Sequence, residues 1–225
     1  MKKLFGIISC TIMSLFLFSS IAFANTNKVI LIDPGHGGVD GGAVAKNGAL
    51  EKDINLQMGL ILKQKLEQDG YKVFMTRETD TGLYTEGKTI REKKREDLAN
   101  RVKMKRNTGA QVFISIHQNT FPEAKYSGTQ VWYSPNSNDS KEFANIIQKG
   151  AKEKLGQTTK REPKDAKTQF RVLRSSPNAA AVIVECGFIS NPQECEMLAS
   201  KEYQDKFAQM IKESVDEYYT YKEKK

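Results

Sequence analysis

The sequence predicts a single α/β domain, a mostly parallel mixed sheet of about six strands with helices on both faces. Three observations point there. Short β-branched runs alternate with longer segments whose apolar residues fall at helical spacing. The chain has 225 residues, room for one domain and a short extra segment. No internal repeat or linker divides it. With 39% hydrophobic and 28% charged residues it is too apolar for a disordered chain and too charged for a multi-span membrane protein. The six prolines exclude a Pro-rich low-complexity chain.

Residues 1–24 stand apart. Lys2 and Lys3 are followed by an apolar run from Leu4 to about Ile21 and by Ala22-Phe23-Ala24, the order of a secretory signal peptide cleaved after Ala24. Left uncleaved, the same run would be the chain's one membrane contact. Cys10 leaves with it. Cys186 and Cys195 remain, and two cysteines so close in sequence read as ordinary buried thiols and not as a disulfide framework. The expected product is an exported domain spanning residues 25–225.

The elements follow in order. Residues 28–33 are a β-branched run stopped by Pro34-Gly35, and a glycine-rich loop extends to Gly42. From Glu51 to Gln68 the residues Ile54, Met58, Ile61, Leu62 and Leu66 mark a helix, closed by Gly70. A strand at 71–75 precedes a Thr/Gly/Asp-rich loop at 78–90. Residues 91–106 read as a charged helix with a narrow apolar stripe of Leu98, Val102 and Met104. Strands are expected at 111–116 and 129–133, a helix at 141–155, and a polar, basic, mobile segment at 156–169. A strand at 180–185 and helices at 193–199 and 201–219 finish the chain.

Only two histidines are present, so imidazole chemistry has few candidates. His36 lies just beyond the first strand, His117 directly follows Val112-Phe-Ile-Ser-Ile116, and Glu185 directly follows Val182-Ile-Val184. The carboxyl ends of strands in an open α/β sheet border one crevice, where ligands bind. Glu51, in the first turn of its helix, can point into the same place. Two His and a carboxylate are the donor set of a His₂Glu catalytic zinc site, and a second carboxylate would handle the proton in metal-assisted amide hydrolysis. The structural reading stays open beside it: a histidine after a strand can be a hydrogen-bonded core residue, and a glutamate at a helix start complements the macrodipole. A phosphate loop is disfavoured, because no Gly-Lys-Ser/Thr follows the glycines. The net charge of +8 suits anionic wall polymers, an anionic membrane surface or nucleic acid. Yet Glu92, Glu96 and Asp97 interrupt the 91–106 charge run, which carries no aromatic stacking residues, so no nucleic-acid partner is expected.

Four ordered motifs extend this reading: Ile32-Asp33-Pro34-Gly35-His36-Gly37-Gly38; Glu51-Lys52-Asp53; Ser115-Ile116-His117-Gln118-Asn119; and Val184-Glu185-Cys186-Gly187-Phe188-Ile189-Ser190-Asn191. Together they resemble the zinc-dependent N-acetylmuramoyl-L-alanine amidases (the amidase-3 family), which cut peptidoglycan between the lactyl group of muramic acid and L-alanine. The resemblance runs from about Val29 to about Tyr218. It implies one zinc ion held by His36, Glu51 and His117, Glu185 as general base, and Asn119 at the substrate. Gln118, where a small or apolar residue is usual, and Cys186, beside the catalytic position, depart from the pattern without removing a ligand. Met75-Thr-Arg-Glu-Thr-Asp80, the 95–102 segment and Lys125-Tyr-Ser-Gly-Thr-Gln-Val-Trp-Tyr133 resemble the sporulation branch. That branch implies maturation of spore-cortex peptidoglycan towards muramic δ-lactam, a location in the cell wall or the forespore intermembrane space, and an activating partner protein. The competing readings are a vegetative wall autolysin and a non-catalytic peptidoglycan-binding scaffold.

Overall fold

The computed structural model describes residues 28–174 and 178–225. The signal peptide expected at 1–24 lies outside the described residues. Six strands, β1 (Val29–Pro34), β2 (Lys72–Met75), β3 (Val112–Asn119), β4 (Gln130–Tyr133), β5 (Lys164–Asp165) and β6 (Ala180–Phe188), form one sheet of order β2-β1-β3-β6-β4-β5. All neighbours pair in parallel except β4 and β6, which are antiparallel. Five helices accompany the sheet: α1 (Glu51–Gln68), α2 (Ile90–Asn107), α3 (Asn138–Lys154), α4 (Pro192–Ala199) and α5 (Lys201–Glu223). The expected α/β architecture is what the chain adopts.

The period-two alternation of the strands divides the core. Ile30 and Ile32 of β1, Ile114 and Ile116 of β3, and Val182, Val184 and Cys186 of β6 pack with the apolar faces of α1, α3 and α5. The intervening positions, Leu31, Phe113, Ala181 and Ile183, join Val172 and Leu173 of a short 3₁₀ turn (Arg171–Leu173) on the opposite face, alongside α2. Asp33, Ser115, His117 and Glu185 continue that second alternation towards the carboxyl ends of their strands. Cys186 therefore points away from the crevice, and both Cys186 and Cys195 are buried free thiols.

Three expectations need correction. The apolar stripe of α2 is narrower than expected: Val102 and Met104 are partly buried against the core, but Leu98 is 39% exposed, and the helix's buried residues are Arg101 and Lys105. Both β3 and β6 run past their functional residues, so His117 and Glu185 are cross-strand partners within the sheet and not residues beyond its edge. The 156–169 segment contains β5, which pairs with Trp132 and Tyr133.

Candidate metal centre

The turn after β1 is built around its own carbonyls. Gly35 donates its N–H to the Ile116 carbonyl, 2.9 Å away. A Cβ at Gly35 would run into the His117 imidazole, so only glycine lets the two strand ends approach this closely. His36 itself has φ +62°, left-handed backbone that a residue with a Cβ rarely adopts. Two buried guanidinium groups hold it there. Arg77 donates to the carbonyls of Pro34 (3.0 Å), Gly35 (2.9 Å) and Lys52 (2.7 Å). Arg101 donates to the carbonyls of Pro34 (2.9 Å) and His36 (2.7 Å) and to Asp33 (2.6 Å). Burial pushes the Asp33 carboxyl up, but Arg101, Ser115 and Thr76 outweigh it and hold it below the usual carboxylate range.

Glu51 is the meeting point. It opens α1, is 4% exposed, and its Oε1 lies 3.2 Å from His36 Nε2 and 2.9 Å from His117 Nδ1. Backbone N–H groups of Gln118 (3.0 Å, to Oε1) and Ala43 (2.8 Å, to Oε2) fix the carboxylate. Burial opposes its ionisation, yet His117 and His36 pull its pKa far below the usual range. The other nitrogen of His36, Nδ1, faces Asp40 Oδ2 at 3.0 Å, and Asp40 is in turn paired with Lys94 at 2.8 Å. Burial lowers the His36 pKa, but Asp40 and Glu51 prevail and raise it to about 9. One donor atom each from His36, Glu51 and His117 lie within 4.8 Å of one another, the only such group among the described residues.

Glu185 stands across from His117 in the β3–β6 register. Burial raises its pKa to about 7, with Glu51 acting in the same direction and the two imidazoles against it. Its Oε2 is buried and finds no hydrogen-bond partner among the described residues. A buried polar atom left without a partner calls for an occupant of the site. An imidazole–carboxylate–imidazole donor set beside a carboxylate with spare capacity fits a divalent cation at His36, Glu51 and His117.

Of the residues singled out from sequence, His36, Glu51, His117 and Glu185 converge. Asn119 does not join the cluster: its side-chain oxygen accepts from the Thr120 N–H at 2.8 Å. Gln118 is buried and donates its amide to Asn55, which itself reaches towards Glu51, so this unusual residue supports the helix that carries Glu51. The loop at 78–90 braces the glycine turn: Asp80 accepts from the Gly38 N–H (2.9 Å) and from Lys52 (2.6 Å), and the Tyr84 hydroxyl accepts from the Val39 N–H (3.0 Å). Asp40, Arg77 and Arg101 escaped the sequence reading. The nearest signal was Asp33, a carboxylate in a strand otherwise buried, which has to find a cation somewhere.

Fold and site together define a class, an α/β domain in which β3, β6, the turn after β1 and the first turn of α1 bring two imidazoles and two carboxylates to one crevice, the arrangement of metal-assisted hydrolases. The comparisons narrow it. Residues 30–217 match the family model for N-acetylmuramoyl-L-alanine amidase, and the chain belongs to that family. The germination-specific N-acetylmuramoyl-L-alanine amidase of Bacillus subtilis is 38% identical over 198 residues, covering 88% of this chain and 82% of that protein. The amidase LytC of the same organism is 33% identical, over 85% of this chain and 36% of its own length. Among solved structures, the CwlD amidase of Clostridioides difficile, in complex with the GerS lipoprotein, superposes with a TM-score of 0.83 at 41% identity, covering 86% of this chain and 99% of that one.

Proposed function

We propose that the protein is a zinc-dependent N-acetylmuramoyl-L-alanine amidase that hydrolyses the amide between the muramic acid lactyl group and L-alanine of peptidoglycan, in the spore-cortex pathway leading to muramic δ-lactam. The observation that carries this reading is the convergence of His36 Nε2 and His117 Nδ1 on Glu51 Oε1, beside a buried Glu185 with an unspent oxygen. His36, Glu51 and His117 hold the ion. Zinc, when bound, supplies Lewis-acid activation of a water and of the scissile carbonyl. Asp40 fixes the imidazole of His36 through Nδ1 and leaves Nε2 to face the ion. Glu185, whose carboxyl sits near neutrality, takes the proton from the attacking water and returns it to the alanine nitrogen as the stem peptide leaves. Asn119 borders the substrate. Residues 1–24 direct export, which places the enzyme in the cell wall or the forespore intermembrane space, and a partner protein regulates it, as the lipoprotein complex of the Clostridioides difficile relative suggests.

The test is product chemistry with purified protein and sacculi. New amino-terminal alanine should appear while the glycan keeps its lactyl groups, chelation should abolish release, and about one zinc per chain should restore it. Release that survives complete metal removal would overturn the zinc reading, and absence of alanine ends at any metal loading would favour a scaffold.

The protonation of His36 sets a pH dependence. Its pKa of about 9 in the metal-free protein means that through the neutral range an ion must expel a proton to reach Nε2. Apparent zinc affinity should therefore rise with pH, by up to about tenfold per unit from this group, and level off above about pH 9. Glu51 is already ionised throughout and adds nothing to the slope. Chelator competition across that range reads the effect, and a flat profile would contradict it.

A further inference from the structure

The crevice lies towards the carboxyl ends of the parallel strands, and the opposite pole of the sheet carries a different surface. There a cavity of about 960 Å³ is lined by Arg106 from the end of α2, Arg174 after the 3₁₀ turn, the polar turn from β4 into α3, and Lys222 and Lys225 at the end of α5. Tyr133 of β4 pairs with Val182 near the start of β6, so this turn sits at the amino end of β6, roughly 16 Å along the strand from Glu185. All four cations are exposed. Asp139 is the one carboxylate in the lining, and Lys222 takes it at 2.7 Å. Arg106, Arg174 and Lys225 have no carboxylate partner among the described residues. Arg174 donates to the Thr168 carbonyl at 2.8 Å, and Lys225 lies over the Tyr221 ring at 4.5 Å. Glu142 of α3 acts on Lys225 without pairing with it. The rest of the surface is laced differently: Lys63, Lys88, Lys93 and Lys154 each meet a carboxylate.

We propose that this pole docks on an anionic phospholipid surface, with Arg106, Arg174, Lys222 and Lys225 meeting lipid phosphates and the catalytic crevice turned away from the membrane. Clustered cations are drawn to a negatively charged leaflet one by one, and the attraction fades beyond a Debye length. The arginine fork takes phosphate oxygens in pairs, and Asn136 and Asn138 at the cavity mouth offer amide donors to headgroup hydroxyls. The choice of lipid over a wall polymer rests on the amidase reading. The crevice has to face peptidoglycan, so the far pole of an exported enzyme faces back to the membrane. The docking itself needs no catalysis.

The experiment sediments residues 25–225, which hold every described strand and helix, with vesicles of phosphatidylglycerol and phosphatidylcholine and with phosphatidylcholine alone. Wild type should bind the anionic vesicles, leave the neutral ones, and dissociate as salt rises from about 0.05 to about 0.5 M. The variant R106Q/R174Q/K225Q should bind about 10²-fold more weakly, about fivefold for each cation removed, with Tm, zinc content and cleavage of soluble muropeptides unchanged. The variant K149Q/K160Q/K201Q removes the same charge from exposed lysines elsewhere and should bind as wild type does. If the first variant unfolds, Lys225→Gln alone carries the test, at about fivefold. Equal losses in the two triple variants would make net charge the cause and overturn the proposal. Equal binding to neutral vesicles would overturn it too, as would tighter binding to soluble poly(glycerol phosphate) than to vesicles at equal phosphate. Zinc-dependent cleavage without vesicle binding sinks the docking alone. Vesicle binding with no zinc-dependent cleavage of any substrate sinks the amidase reading and leaves the docking.

Discussion

Glu185→Gln should lower alanine release from sacculi by at least about 10²-fold while the protein keeps its fold and its zinc. The amide has the shape of the carboxylic acid but cannot accept and return a proton. The folding cost should be small. In the native protein burial outweighs the pull of the two imidazoles on this carboxyl and raises its pKa to about 7, so an uncharged replacement gives up little, and Glu185 Oε2 has no hydrogen bond to lose among the described residues. Metal content by emission spectroscopy, unfolding by circular dichroism and kcat measured on one preparation separate the outcomes. Undiminished turnover would remove Glu185 from the proton transfer. Loss of zinc with loss of turnover would make it a ligand, and one of His36, Glu51 or His117 would then have been misassigned.

Arg101→Met should destabilise the fold by about 3–5 kcal/mol at neutral pH, the cost of breaking a buried ion pair from one side. Arg101 and Asp33 are 2% and 1% exposed, and the guanidinium also serves Asp97 and the carbonyls of Pro34 and His36. The pH dependence identifies the mechanism. In the wild type the Asp33 pKa is depressed, so its contribution is fully present above the unfolded carboxylate value of about 3.9 and is lost as pH falls through the folded one. In R101M burial acts without the counter-charge and raises that pKa, so protonation of Asp33 relieves the strain at low pH. The stability gap between the two proteins in urea should therefore be larger at about pH 7 than at about pH 4. An equal gap at both would mean that packing of the arginine stem, not its charge, carries the effect.

How far the sequence could be read divides by range. Strand and helix identities were legible because each rests on a local period, and the four convergent residues were legible because they sit in short motifs at strand ends. The boundaries of β3 and β6 were not. An apolar-run criterion stops at the first polar side chain, yet His117 and Glu185 keep extended backbone and remain hydrogen-bonded in the ladder. The buried face of α2 was also hidden. Arg101 reads as a solvated charge until its partner is known, and Asp33 is 68 residues away. The support of the His36 turn by Arg77 and Arg101 has the same character. Each guanidinium binds carbonyl groups, which every residue has, so nothing in the side-chain pattern announces them.

The pairing of His117 with Glu185 across the centre of the sheet also bears on synthesis. β6 enters between β3 and β4, strands made long before it, so a growing chain carries both imidazoles and Glu51 while still lacking the group that moves the proton. A chain that stops ahead of β6 lacks both that group and the strand that supplies Ala180, Val182, Val184 and Cys186 to one side of the core and Ala181 and Ile183 to the other. Hydrolytic power arrives in a single late step, when the last strand closes the gap, and a product truncated ahead of that strand would be inert towards the wall it is meant to remodel.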